Sequence, residues 1–296
     1  MCINPIYLEK TGKTFSCGKC KQCHQRYTAH WVFRLQQEQR ITNKSVFLTL
    51  TYDYEHIPMN KGKFTLFKKD YQDFLKRLRK QISNKIKYVV CGEYGGQNNR
   101  PHYHLILFGV DKDDFNIINQ AWGKGLIHLG NVQPNSIAYV FKYSIKGDKK
   151  TRDWRQTKQF VAMSKGLGEN FAFDIQYQKT QHINKHGQTI TRQSKIRTPL
   201  PHFDKKLKQL ILQPYYTIPS QDGGTVKMSM PRFYLKASNY DTTELTETFL
   251  DKMASKYQDV PPLQLVKILE IETIQRAEAY KKQEKDVLYS ISKEKI

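Results

Sequence analysis

Apolar residues along the chain follow two rhythms. In "SVFLTLTY" (45–52) β-branched and aromatic residues crowd together, which predicts a buried strand. "LFKKDYQDFLKRLRKQI" (66–82) instead places Phe67, Tyr71, Phe74, Leu75 and Leu78 at helical spacing with lysines and arginines opposite, so an amphipathic helix should cover a sheet. "IKYVVCGEY" (86–94) reads as a second strand, "GGQNNR" (95–100) as a turn and "HYHLILFG" (102–109) as a third strand, which together make a hairpin. Helices are expected over 21–40, near 114–122 and within "NSIAYVFKYSIKG" (135–147), and a strand within 125–132. Strands alternating with covering helices predict an α+β sandwich with a mostly antiparallel sheet.

Beyond Gly147 the texture becomes basic and polar, with a hairpin expected at His186-Gly187; this part reads as a DNA-contacting extension or as solvated loops. A long charged helix should begin at the Pro261-Pro262 pair and pack on the body or a partner. The expected organisation is a cysteine-containing segment and helix (1–44), a core (45–150), a basic extension (151–240) and a C-terminal helical segment (241–296).

Charge narrows the function. Forty-nine Lys and Arg against 27 Asp and Glu give a net charge of +22, and aromatics make up 12% of the 296 residues. Basic side chains laid on phosphates release condensed counterions, so nucleic acid is the leading partner. No run approaches the ~18 apolar residues of a spanning helix, and no membrane role is expected. The first residues, "MCINPIYLEKTGK", lack the apolar core of a secretion signal, so a cytoplasmic location is expected.

The five cysteines, an odd number, argue for thiols or metal ligands rather than a disulfide framework. Cys17, Cys20 and Cys23 form C-x-x-C-x-x-C, with Lys19 and Lys21 placed to lower thiol pKa values. Cys2 or His24 would complete a tetrahedral structural Zn²⁺ site; the alternative is free thiols entering a helix.

Side chains alternate across a strand, so His102 and His104 share a face with Ile106 and Phe108, opposite Tyr103, Leu105 and Leu107. Two imidazoles so placed can grip one metal ion, or they are unrelated polar residues at a strand end. Glu93, across the turn, is placed to add a carboxylate as third ligand, leaving coordination positions open as a catalytic site requires. On the helix that follows, Ile137, Val140, Phe141, Ser144 and Ile145 gather on one side and Tyr139, Lys142, Tyr143 and Lys146 on the other. A tyrosine phenolate can attack a phosphodiester and hold the cut strand as a covalent phosphotyrosine, and lysines one turn away can lower the phenol pKa or neutralise charge. The alternative is an ordinary amphipathic helix with half-buried tyrosines and solvated lysines.

The stretches "FLTLTYD" (47–53), "GEYGGQNNRPHYH" (92–104) and "YVFKYSIK" (139–146) together resemble the HUH-endonuclease replication initiators of gokushovirus-type (Microviridae) single-stranded DNA phages. "CGKCKQCHQRYTAHWVFRL" (17–35), "FVAMSKGLG" (160–168) and "PRFY" (231–234) are similar to the same group. The resemblance implies that His102, His104 and Glu93 hold Mg²⁺ or Mn²⁺, that Tyr139 and Tyr143 are nucleophiles, and that Lys142 and Lys146 support them. It further implies a five-stranded antiparallel sheet with helices beside it, a single-stranded DNA origin as substrate, rolling-circle replication in the cytoplasm of a bacterial host, and reliance on host helicase and polymerase. No ATP-binding G-x-x-x-x-G-K-[ST] is present, in keeping with borrowed unwinding. The rival readings are a transposase or relaxase of the same chemistry acting on another DNA end, and a noncatalytic zinc-containing nucleic-acid-binding protein.

Overall fold

The computed structural model describes residues 2–96, 98–145, 153–183, 188–199, 203–204, 209–210, 215–219, 224–237 and 255–293. Two units emerge, one formed by 1–167 with 260–296 and the other by 168–259.

In the first unit, a short hairpin of β1 (Ile6–Leu8) and β2 (Lys13–Phe15) precedes α1 (Lys21–Ile41). Next come β3 (Ser45–Thr51), the small hairpin β4 (Met59–Asn60) and β5 (Lys63–Phe64), and α2 (Lys68–Gln81). The hairpin of β6 (Lys87–Tyr94) and β7 (Pro101–Phe108) leads to α3 (Phe115–Trp122), β8 (Ile127–Gly130), α4 (Pro134–Ile145) and β9 (Phe160–Met163). Strands β8, β3, β7, β6 and β9 form, in that order, one five-stranded sheet in which every pairing is antiparallel. The α+β architecture is therefore the one expected. The long helix near the end, α6, spans Pro262–Lys293.

Strand alternation sorts the core into two layers. Val46, Leu48 and Leu50 of β3, Val90 of β6 and Tyr103, Leu105 and Leu107 of β7 face one cluster, closed by Phe74, Leu75 and Leu78 of α2 and Ile118 and Trp122 of α3. Val89, Cys91, Ile106 and Phe108 face the other, closed by Leu35 of α1 and Ile137, Val140 and Phe141 of α4. The two faces of α4 thus divide as its periodicity predicts. Helix α1 is pinned to this second layer by Lys87 of β6, whose ammonium lies 2.6 Å from buried Glu38. Its Trp31 stacks on Phe141 with ring centroids 5.3 Å apart, and Tyr27 meets the same ring edge-on at 6.0 Å.

Edge strand β9 escaped the hydropathy reading, because four residues beside a basic stretch carry too little periodicity. Edge strand β8 depends on Gly125. That residue sits at φ +139°, and a Cβ there would lie 2.4 Å from Asp53 N and 2.5 Å from the Thr51 carbonyl oxygen. Backbone cannot yield as a flexible side chain can. Gly125→Ala should therefore cost about 3 kcal/mol through strain and clash together, read as a lower denaturation midpoint; an unchanged midpoint would contradict this account of the turn.

In the second unit, β10 (Phe173–Ile183) pairs with β11 (Thr189–Pro199) as a long hairpin that brackets the expected turn, while His186-Gly187 itself lies outside the described residues. Short pairs β12 (Phe203–Asp204) with β13 (Gln209–Leu210) and β14 (Tyr215–Pro219) with β15 (Thr225–Ser229) follow. Helix α5 (Arg232–Ala237) closes the unit, with the Tyr234 hydroxyl donating to the Gly168 carbonyl at 2.9 Å.

Candidate functional site

Three adjacent central strands build one cluster on the α1/α4 face. Register sets it: Glu93 of β6 lies directly opposite His102 of β7, and Thr49 of β3 directly opposite His104. Odd-numbered Glu93 follows Val89 and Cys91 onto that face, while the even-numbered histidines precede Ile106 and Phe108. His102 Nε2 and His104 Nε2 converge on a single oxygen, Glu93 Oε1, at 2.7 and 2.8 Å.

The outer nitrogens are also committed. His102 Nδ1 lies 3.1 Å from the Arg100 carbonyl oxygen, which can only accept, so this nitrogen carries the proton. His104 Nδ1 lies 2.9 Å from Thr49 Oγ1. Partners on Nδ1 fix ring orientation and direct Nε2 inward, the usual arrangement behind metal-binding imidazoles. Phe47 stacks on His104 with centroids 5.7 Å apart, which locks that ring further. Thr49 and Phe47 lay within a motif recognised from sequence, but their roles were invisible there because they arise only from cross-strand register.

Tyr139 reaches the same carboxylate from α4. Its hydroxyl donates to Glu93 Oε1 at 3.2 Å, and its ring meets that of His104 edge-on with centroids 5.0 Å apart. It remains 36% exposed, so a substrate can approach. Tyr103, between the histidines in sequence, is wholly buried on the opposite face and bonds to Tyr52 and to the Phe67 backbone. Lys142 and Tyr143 belong to α4, but their side chains lie outside the described structure, as does the whole of Lys146.

Electrostatics fit a shared cation. Glu93 is 2% exposed, and its Oε2 has no hydrogen-bond partner. Burial pushes its pKa up, yet the hydrogen bonds from His102 and His104 prevail and bring it down to about 2. Burial likewise lowers His102, but the Glu93 carboxylate outweighs it and raises the pKa above the ordinary imidazole value. With Nδ1 committed to Arg100, His102 Nε2 faces Glu93 either as the N–H of an imidazolium or as a lone pair beside a cation. The 2.7 and 2.8 Å separations match the ~3 Å edge of an octahedron whose bonds are ~2.1 Å, so two nitrogens and a carboxylate suit a divalent ion.

The signs of these shifts give a pH test. Glu93, depressed, stabilises the metal-free fold above its unfolded value of about 4.3, a contribution lost as pH falls toward its folded value. His102, raised, contributes below about pH 6.5 and loses that contribution as pH climbs through its elevated value. Metal-free protein should thus gain most from this cluster at roughly pH 5–6. Added Mn²⁺ should raise the melting temperature more at pH 8 than at pH 5.5, since imidazoles offer lone pairs only when deprotonated. Equal increments at both pH values would contradict the assignment.

A second cluster lies at the start of α1. Cys2, Cys17, Cys20 and Cys23 bring their sulfurs within 4.8 Å of one another, so Cys2 rather than His24 joins the three closely spaced thiols. Burial opposes ionisation of Cys20, yet the amides of Ile3 and Cys23 and the thiols of Cys23 and Cys17 bring it down to about 7. Amide dipoles and sulfurs, not the ammonium groups of Lys19 and Lys21 proposed from sequence, produce that shift. Burial and the Cys20 sulfur push Cys23 up to about 12.

The sheet and its cluster define a class that comparison with known proteins supplies with a name. Residues 45–148, from β3 past the end of α4, match the family model of the replication-associated protein ORF2. The chain is similar to replication-associated protein VP4 of Bdellovibrio phage phiMH2K, 32% identical over 160 residues that cover 48% of this chain and 51% of the relative. It is also similar to replication-associated protein ORF2 of Spiroplasma virus 4 (30% identity; 51% and 55% covered) and to replication-associated protein ORF4 of Chlamydia phage 1 (26%; 58% and 49%). The resemblance to phage replication proteins read from sequence therefore stands, and the chain spans about half the length of the curated relatives it matches. No solved structure matches. Among the described residues, no helix is long and apolar enough to cross a membrane.

Proposed function

We propose that the protein initiates rolling-circle replication by nicking and rejoining a specific single strand of DNA. The observation that carries this reading is the convergence of His102, His104 and the Tyr139 hydroxyl on one carboxylate oxygen of Glu93. Glu93 and the two histidines would hold Mg²⁺ or Mn²⁺, which supplies positive charge to the non-bridging oxygens of a phosphodiester. The Tyr139 oxygen attacks phosphorus, a P–O bond to tyrosine forms, and the bond to the 3′ oxygen breaks to leave a 3′-hydroxyl. The energy of the broken ester is kept in the phosphotyrosine, so a later 3′-hydroxyl can reverse the step and close a circle.

Tyr143, one helical turn along, would take the second cut while Tyr139 holds the first 5′ end, with Lys142 and Lys146 neutralising charge. The net charge of +22 supplies nonspecific affinity for the strand. A host helicase and polymerase would provide unwinding and synthesis in the bacterial cytoplasm. Labelled single strands covering the source genome, incubated with protein and Mn²⁺, should be cut at one site. Binding without cleavage at any tested sequence would favour a noncatalytic DNA-binding protein instead.

A further inference from the structure

The second cluster has no part in that chemistry, and its geometry goes beyond it. We propose that Cys2, Cys17, Cys20 and Cys23 hold one structural Zn²⁺ that ties the N-terminal segment to the first turn of α1 and thereby steadies the tyrosine-bearing helix α4.

Four observations converge. Cys17 Sγ lies 3.9 Å from Cys23 Sγ, and Cys20 Sγ lies 4.0 Å from Cys2 Sγ. A tetrahedron with Zn–S bonds of ~2.3 Å has edges of ~3.8 Å, whereas a disulfide would need ~2.05 Å. Backbone amides point at the sulfurs: Cys17 N–H donates to Cys2 Sγ at 3.3 Å, and Lys19 and Cys20 N–H both donate to Cys17 Sγ at 3.4 Å. Such donors favour thiolate over thiol, and thiolate is the ligating form. Gly18 makes this turn possible, because its φ of +70° is one that other L-residues rarely adopt. Finally, Cys20 caps α1 and Cys23 lies in its first turn, where the positive end of the helix dipole offsets part of the negative charge of four thiolates.

Binding the ion closes a long loop from Cys2 to Cys17 and fixes the end of α1 that would otherwise fray. One turn beyond Cys23 stands Tyr27, and one further turn on Trp31, both against Phe141 of α4. Tyr139 is two residues from Phe141. An ordered start to α1 therefore sets the surface on which the tyrosine helix rests.

Metal analysis of the full-length protein, purified without added metal, tests this directly. Close to one zinc per chain is expected, and Co²⁺ exchanged into the site should show the intense visible bands of a tetrahedral tetrathiolate. Cys2→Ser should weaken zinc affinity by more than about 100-fold, beyond what an outer-shell partner accounts for, while His24→Ala keeps it. Stripping zinc with a chelator should lower the melting temperature and speed amide exchange in 21–33 and in 134–145, with 101–108 still protected. Wild-type protein holding stoichiometric iron, or no metal with all four thiols titrating freely, would overturn the proposal, and the cobalt and thiol measurements need no variant to fold. Zinc lost from His24→Ala but kept by Cys2→Ser would overturn the ligand set. Faster exchange confined to the cysteine segment would overturn the link to α4.

Discussion

Replacing His102 or His104 with alanine should lower the rate of single-strand cleavage by about 10³-fold or more, while leaving the dissociation constant for the same strand within about threefold. The two effects separate because their sources do. Cleavage needs charge at the scissile phosphate, and each imidazole brings a lone pair to the shared position beside Glu93. Affinity comes mostly from a basic surface carrying a net charge of +22, to which neither histidine contributes near neutral pH. Truncation also leaves Glu93, 2% exposed, with fewer groups to face its charge, so its carboxyl pKa should rise. Parallel loss of binding and cleavage would point to a folded-state role for the histidines. Undiminished cleavage by the double variant would remove the metal site from the account.

The second large effect concerns the hydroxyls of α4. Tyr139→Phe and Tyr143→Phe should each retain some cleavage of a short single-stranded origin but lose efficient circle closure, and the double variant should form no covalent adduct. Tyr139 touches the cluster directly, donating to Glu93 Oε1 and lying edge-on to His104. A position one helical turn away lies on the same face, near enough for the two to alternate at one phosphate without rebuilding the site. Phenylalanine keeps the ring and its contacts with His104 and Phe47, so lost closure would reflect the missing nucleophile rather than a repacked helix. A full cycle in Tyr139→Phe would make that tyrosine structural.

Much of this was legible in sequence where the signal is local. The period of β3, β6 and β7 predicted which residues face which layer, and the hairpin turn predicted that Glu93 would reach the histidines. The same period assigned the buried side of α4 through Ile137, Val140 and Phe141. What escaped was set by contacts distant along the chain. Thr49 meets His104 across 55 residues, a register that hydropathy does not encode. Cys2 and His24 were equal candidates beside the three closely spaced cysteines, because only the fold of β1 and β2 back toward α1 decides between them. Short strands such as β4, β5 and β9 are paired by neighbours rather than by pattern, so four residues or fewer gave no rhythm to read.

The central claim is that a tyrosine of α4 becomes covalently joined to DNA beside the Glu93 cluster. Peptide mass spectrometry of wild-type protein trapped with its cleaved single strand in Mn²⁺ tests this most directly, since the chain offers 18 tyrosines and only a nucleophile will carry the 5′-phosphate. The account predicts the phosphotyrosine on Tyr139 or Tyr143, absent without divalent metal and absent from His104→Ala. An adduct on any other tyrosine, or cleavage that leaves none, would contradict it.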